Sequence, residues 1–352
     1  MPNPFREHVV RAVAVVLCLF TLLEVNYPHL APQSQLAIFA MMGMVLTFLL
    51  YPARRDWKDS RAAIAVDTVL LVVACLCCVY VVVQTEPLFQ NWWLEGRSLG
   101  NRAGAEVSFD FVIGALGVAI VLEVTRRAVG LPLPMLATFF LLYAAFGSRL
   151  PDWLFPHRGY SLDRIVAQTF LHSQGVFGIA LKVMFSYVFL FVVFGALLEA
   201  TGAIQFIIGL TRRFFRGSPG GASKVAVIAS GFMGSLSGSA VANAATTGTF
   251  TIPLMKSSGF PPHVAAGITA AASSGGALVP PVMGAGAYMM LEIIDPPVTF
   301  LQIMKAAILP AVLFYLALFL IVHFYSKRVG AAAGTDDATG DYRFQFEGCL
   351  LY

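Results

Sequence analysis

The fourteen residues "LLVVACLCCVYVVV", Leu70 to Val83, carry no charge and nothing more polar than a thiol or a phenol. Runs of this kind recur along the chain and constrain its fold more than any other feature. A hydrocarbon layer is crossed by about 20 apolar residues in a helix. Lipid offers no hydrogen-bond partners, so a backbone inside it must close its own bonds. Composition points the same way: 58% of the 352 residues are hydrophobic and 12% are charged, against about 25% charged in soluble domains. The sequence therefore predicts an all-α polytopic membrane protein.

Apolar spans are expected at Val9–Leu23, Leu36–Tyr51, Ala62–Val83, Phe109–Val124, Leu131–Phe146, Gly178–Leu198 and Ile303–Tyr325. A broken apolar segment over His263–Leu291 brings the expectation to about eight crossings. Tyr160–Ile179, "YSLDRIVAQTFLHSQGVFGI", is amphipathic and is expected along the membrane interface. Arg6 and Arg11 before the first run resemble the start of a signal peptide. No small-residue cleavage site follows in "LFTLLEVNYPHLAP", so a retained helix is expected.

Loop charges set the orientation. The first loop has no Lys or Arg, and the second has Arg54, Arg55, Lys58 and Arg61. The third has Arg97 and Arg102, offset by Glu86, Glu95 and Glu106. Arg126 and Arg127 follow, then scattered Arg149, Arg158 and Arg164, then Arg212, Arg213, Arg216 and Lys224. This alternation places the N-terminus in the cytoplasm and the Trp92/Trp93 loop outside. The net charge of +4 forms no basic block, which argues against a nucleic-acid partner. Cys18, Cys75, Cys77, Cys78 and Cys349 have no metal-ligand spacing. "GSPGGASK" lacks the spacing of an ATP-binding loop.

Against this background "GSLSGSAVANAATTGTFTIP", Gly234 to Pro253, stands out. Glycine-rich backbone at membrane depth is tolerated only inside protein or along a watery cavity. Ser235, Ser237, Ser239, Asn243, Thr246, Thr247, Thr249 and Thr251 offer neutral oxygens, of the kind Na⁺ and carboxylate ligands use. A helix restarting at Ser239 would aim its positive end at an anion. Lys224 and Lys256 bracket the run on one side, so residues 225–256 read as a re-entrant hairpin. A second break follows in "AASSGGALVPPVMGAGAYMM", where Gly275–Gly276 and Pro280–Pro281 interrupt the helix. Two readings are open: close packing of small residues, with Gly234–Gly238 as a GxxxG pair, or ligand-lined breaks. Two tandem breaks favour the second.

The stretches "SKVAVIASGFMGSLSGSAVANAATTGTFTIPLMKSSGFPP" and "AAGITAAASSGGALVPPVMGAGAYMM" resemble the large membrane subunit of tripartite ATP-independent periplasmic (TRAP) transporters. More narrowly, with "EVTRRAVGLPLP", "YAAFGSRLP" and "PGGASK", the chain is similar to fused four-plus-twelve-helix permeases that work with TAXI-type binding proteins. The likeness runs from about Phe109 to Gly330. It implies a four-helix small-subunit-like part over 1–125 and the first half of the transport part over 126–330, with hairpin 225–256 and broken helix 263–292. A polar tail covers 331–352.

The resemblance implies a bacterial inner-membrane permease, not an enzyme, importing organic anions, mostly carboxylates, on a Na⁺ gradient. A periplasmic TAXI-type protein would deliver the substrate, with Na⁺ as the coupling ion and no other cofactor. Carried over by position, Ser237, Ser239, Asn243 and Thr247 would serve substrate. Gly238, Gly248, Ser274, Gly275, Gly276 and Pro280 would serve Na⁺, beside Pro281. Ser239 and Asn243 would face the cavity. The family has two inverted repeats and this sequence shows one. The expectation is therefore a chain incomplete as encoded, or a second repeat on a separate polypeptide.

Two rivals stand beside the permease. One is a non-transporting membrane scaffold or remnant. The other, remote, is an intramembrane serine hydrolase using Ser237 or Ser239 with His323, although no G-x-S-x-G occurs. Asp67, near Arg61, and Glu123, Lys182, Glu199 and Lys305 all lie near span ends, where snorkelling explains them. Lys305 is the weak candidate for attracting an anion. Arg212, Arg213 and Arg216 with Phe214 and Phe215 read as an amphipathic interface element.

Overall fold

The computed structural model describes residues 4–53, 61–149, 151, 155, 157–215, 218, 220–296 and 298–330. Arg54, Arg55, Lys58, Arg216, Cys349 and the 331–352 tail lie outside the described residues, as do the side chains of Arg61, Glu199 and Arg212. No strand occurs among the described residues. The chain forms two compact units, Met1–Ser186 and Tyr187–Tyr352.

In the first unit, α1 (Pro4–Asn26), α2 (Pro32–Leu50), α3 (Arg61–Thr85) and α4 (Ser108–Ala128) pack in sequence. Met44 and Phe48 of α2 meet Ala74 and Cys78 of α3 and Ile120 of α4 in a shared core. Val69, Val72, Leu76 and Val79 recur at spacings of three and four on the opposite, exposed face of α3, as a lipid-facing stripe should. α5 (Pro132–Phe146) follows a proline-marked start. α6 (Leu162–Val166) then runs into a π turn, Ala167–Leu171. This is the expected amphipathic segment, and its apolar face packs on α4. A Cβ on Gly117 would overlap the ring of Phe170, so glycine is what admits the ring. α7 (Ile179–Val183) closes the unit.

Short 3-10 turns between Pro87 and Arg102 cap the end of α3. They are held by Arg102, which is 1% exposed. Its guanidinium donates to Asp110 Oδ1 at 3.0 Å, Gln84 Oε1 at 3.1 Å and the Leu94 carbonyl at 2.8 Å. Asp110 also accepts the Tyr80 hydroxyl and, at 3.0 Å, the Val107 N–H. Trp93 turns inward to donate to the Val83 carbonyl at 3.1 Å, whereas Trp92 is exposed. At the opposite end of α4, Arg127 pairs with Asp67 and with Glu123, each at 2.7 Å.

The second unit comprises α8 (Phe189–Ala200), α9 (Ala203–Phe214), α10 (Gly221–Ser237), α11 (Ala240–Ser257), α12 (Pro262–Ser274), α13 (Ala285–Ile293) and α14 (Phe300–Val329). Ala222, Ala226 and Val227 of α10, Met255 of α11, Ala265, Ile268 and Ala272 of α12 and Val322 of α14 share a core with Phe260. Thr299 and Gln302 cap α14 reciprocally.

Among the described residues, six helices are long and apolar enough to cross a membrane: Arg6–Asn26, Pro32–Leu50, Ile64–Thr85, Ser108–Ala128, Ile179–Leu198 and Phe300–Val329. The other two expected crossings are shorter. α5 has 15 residues, about 22 Å of helix against about 30 Å of hydrocarbon. The broken segment is divided into helices of 13 and 9 residues.

Candidate permeation site

The expected hairpin is formed by α10 and α11, and its tip is two residues long. α10 stops because Gly238 takes the left-handed conformation, φ 60°, and returns its N–H to the Gly234 carbonyl at 2.8 Å. A Cβ on Gly238 would overlap the Met283 carbonyl oxygen, so space and conformation both require glycine. α11 restarts at once because Ser239 is extended and its Oγ accepts the Ala242 N–H at 3.3 Å.

Inside the hairpin lies a ladder of buried neutral polar groups. Asn243 Nδ2 donates to the Ser230 carbonyl at 2.8 Å, tying α11 to α10. Thr247 Oγ1 lies 2.8 Å from the Asn243 carbonyl, 3.2 Å from Ser230 Oγ and 3.5 Å from Ser273 Oγ of α12. Thr251 Oγ1 donates to the Thr247 carbonyl at 2.8 Å and lies 3.2 Å from Thr269 Oγ1 of α12. A threonine that bonds back along its own helix keeps its hydroxyl satisfied where water is absent. Asn243 Oδ1 differs: it is buried with no hydrogen-bond partner among the described residues.

The second break lies against this ladder. α12 ends at Ser274 and passes into a 3-10 turn, Gly275–Leu278, before the chain reaches α13. The backbone of Gly276 meets that of Gly234: a Cβ on Gly276 would stand 2.8 Å from Gly234 Cα and 2.7 Å from Asn243 Nδ2. A Cβ on Gly275 would overlap the Phe314 ring. The break is tied to the hairpin by the Val282 N–H donating to the Ser235 carbonyl at 3.4 Å. The Tyr288 hydroxyl donates to the Val282 carbonyl, and the Gly284 N–H to the Ala277 carbonyl at 2.8 Å.

The expected site residues fall in two settings. Asn243, Thr247, Gly275 and Gly276 are buried at the hairpin–break contact, and Gly248 is buried against Thr269 of α12. Ser239 and Ser274 are exposed, the first as a helix cap and the second with its hydroxyl on the Ala271 carbonyl at 2.8 Å. Ser237, Gly238 and Pro280 are half-buried. Pro280 and Pro281 are joined by a cis peptide. Ser239 and Asn243 do share a side of α11, but one turn of helix separates an open tip from a sealed interior.

Ser230, Thr269 and Ser273 join this network without a place in the sequence reading, whereas Thr251 belongs to the run of neutral oxygens named there. One signal for Ser230 lies in the sequence: it stands eight residues before Gly238, as Thr247 stands eight after Ser239. Folding the chain at its tip sets the two side by side. No Asp, Glu, Lys or Arg occurs from Val225 to Met255. The site can therefore offer oxygens and dipoles without a fixed charge, an arrangement suited to holding an ion weakly enough to release it.

A family model described as "Tripartite ATP-independent periplasmic transporter, DctM component" matches residues 116–346. The match begins close to the expected Phe109 and runs past Gly330. The chain is 36% identical over 117 residues to the 2,3-diketo-L-gulonate TRAP transporter large permease protein of Escherichia coli K12, covering 33% of this chain and 25% of that one. It is 27% identical over 157 residues to a putative TRAP transporter large permease protein of Haemophilus influenzae, covering 45% and 36%. Identity is 28% over 209 residues to the isethionate TRAP transporter permease protein of Oleidesulfovibrio alaskensis, covering 56% and 31%. The matched part of this chain thus spans about a quarter to a third of these relatives' length. They are named as transporter permeases, which sets aside the hydrolase reading of Ser237, Ser239 and His323. With more than half of its residues inside the family match, this chain is a multi-pass membrane protein belonging to the DctM component family of tripartite ATP-independent periplasmic transporters.

Proposed function

We propose that the hairpin and broken helix form one half of the permeation site of a Na⁺-driven importer of organic anions. The observation that carries this reading is Asn243 Oδ1. It is a buried oxygen acceptor without a hydrogen-bond partner among the described residues, at the place where Gly234 and Gly276 touch. A buried acceptor left unpaired costs about 1–3 kcal/mol, and a bound cation would remove that cost.

On this reading Asn243, grouped by position with the substrate residues, is reassigned to Na⁺, beside the backbone at Gly238, Gly248, Ser274, Gly275, Gly276 and Pro280. Ser237, Ser239 and Thr247 favour the substrate. The relatives are named for 2,3-diketo-L-gulonate and isethionate; both are small organic anions, which supports that class, with carboxylates as its main members. A periplasmic binding protein of the TAXI type delivers the substrate, and a second repeat, on another segment or polypeptide, supplies the opposing half-site. Residues 1–125 act as the small-subunit part, in the inner membrane with the N-terminus cytoplasmic.

The direct test is thermal unfolding of the purified chain in NaCl, KCl or choline chloride at equal ionic strength. Na⁺ alone should raise the unfolding temperature, and Asn243→Leu should abolish the rise. Equal effects of Na⁺ and K⁺ would remove the ion assignment.

A further inference from the structure

Lys224 is the one lysine buried among the described residues, at 3% exposure. It sits in the second turn of α10 and faces α14. Its Nζ donates to Ser218 Oγ at 2.5 Å and lies 5.9 Å from the centre of the Phe319 ring. Ser218 is its one hydrogen-bond partner among the described residues, and no carboxylate among them pairs with it. Taking an ammonium out of water without a counter-charge is strongly unfavourable.

The charges nearest to Lys224 make this worse. Phe319, His323 and Lys327 are spaced by four along α14 and so form one stripe. Lys224 Nζ reaches this stripe at Phe319, and Ser326, the neighbour of Lys327, touches Ser223, the neighbour of Lys224. Burial, and then the Lys327 charge, hold the Lys224 ammonium below the ordinary lysine range. The start of α10 adds positive partial charge of its own, and the end of α14 offsets only about half a unit. The spacing is fixed, because Ser223 Oγ lies 3.1 Å from Ser326 Oγ and a Cβ on Gly220 would overlap the Ser326 side chain.

We infer that Lys224, Lys327 and His323 form a binding site for a phosphate group at the end of the α14 span. Phosphate supplies the missing negative charge and enough acceptor oxygens for all three groups. Two sources offer this chemistry: the headgroup of an anionic phospholipid, which basic pockets at span ends take up, and soluble phosphate. The site is separate from the hairpin tip and does not depend on how that tip is read.

The test is thermal unfolding of the purified full chain with added phosphatidylglycerol, phosphatidylcholine or inorganic phosphate. Phosphatidylglycerol should raise the unfolding temperature of the wild type more than phosphatidylcholine does. Lys224→Met and Lys327→Gln should each weaken that response about tenfold in concentration, the loss of one charge-assisted bond. Protection by inorganic phosphate at millimolar level would support the site and identify a soluble ligand. Protection by phosphatidylglycerol alone would support it and identify a lipid. Lys327 is exposed, so its variant tests the site even where Lys224→Met fails to fold. An equal response of wild type and Lys327→Gln to every additive would overturn the inference.

Discussion

Gly276→Ala is the sharpest perturbation of the hairpin–break contact. The added Cβ would lie 2.8 Å from Gly234 Cα, whereas favourable carbon contacts begin near about 3.5 Å. The overlap is therefore about 0.7 Å, and Gly234 is backbone that cannot swing aside. The second neighbour, Asn243 Nδ2 at 2.7 Å, could yield only by giving up its bond to Ser230. Overpacking of this kind costs about 1–3 kcal/mol. Gly267→Ala is the control: Gly267 lies in α12 and a Cβ there meets nothing within 4 Å. That change should stabilise by about 0.5–1 kcal/mol through helix propensity. The two alanines should thus differ by about 1.5–4 kcal/mol in unfolding free energy, adding the two effects. Reversible unfolding in mixed detergent micelles would measure this, with the Na⁺-induced shift as a second readout that Gly276→Ala should lose and Gly267→Ala keep. If both variants unfold within about 0.5 kcal/mol of each other, the close approach of the two backbones is wrong, and the ion site built on it fails too.

Arg102→Met leaves Asp110 buried without its ion-pair partner and should cost about 3–5 kcal/mol, read as a fall in the unfolding temperature of the whole chain. A loss under about 1 kcal/mol would mean that water reaches the pair. The Glu106 carboxyl is pushed up by desolvation but pulled down further by the Gly104 N–H and by His172, 2.9 Å away, so it titrates below its ordinary value. Its stabilising effect is present above about pH 4.3 and is lost as pH falls through the lower folded value. Glu106→Gln should therefore unfold earlier than wild type near neutrality, with the gap closing in acid; a pH-independent gap would refute the assignment. Tyr288→Phe removes the bond to the Val282 carbonyl and should destabilise by about 1 kcal/mol, with no change expected if that hydroxyl is hydrated instead.

The sequence made the architecture of the hairpin legible because its punctuation is strong. Lys224 and Lys256 bound it, and observed helices Gly221–Ser237 and Ala240–Ser257 extend only a few residues past them. Gly275, Gly276, Pro280 and Pro281 mark the second break as expected. Depth was harder to read. Ser239 and Asn243 look alike in sequence, yet which is sealed depends on α10 and α12 packing over one and not the other. Asp67 lies near Arg61 in sequence but pairs with Arg127, sixty residues away, since α3 and α4 lie side by side. Lys224 read as a loop charge, and only its packing against α14 reveals that it is buried. Pairings across helices depend on which faces meet, and periodicity within one helix does not say.

The hydroxyl ladder also bears on how this protein enters the bilayer. Neither α10 nor α11 is among the helices both long and apolar enough to cross a membrane, and Thr247 and Thr251 find their last partners, Ser273 and Thr269, on α12. During synthesis the hairpin leaves the ribosome before those partners exist. Until α12 follows, Thr247 and Thr251 hold their hydroxyl bonds within α11, and the contacts to Ser273 and Thr269 are still to be made. The polar faces of three short helices thus meet one another, through Ser230, Thr247, Thr251, Thr269 and Ser273, and the hairpin and α12 bury them as a single assembly.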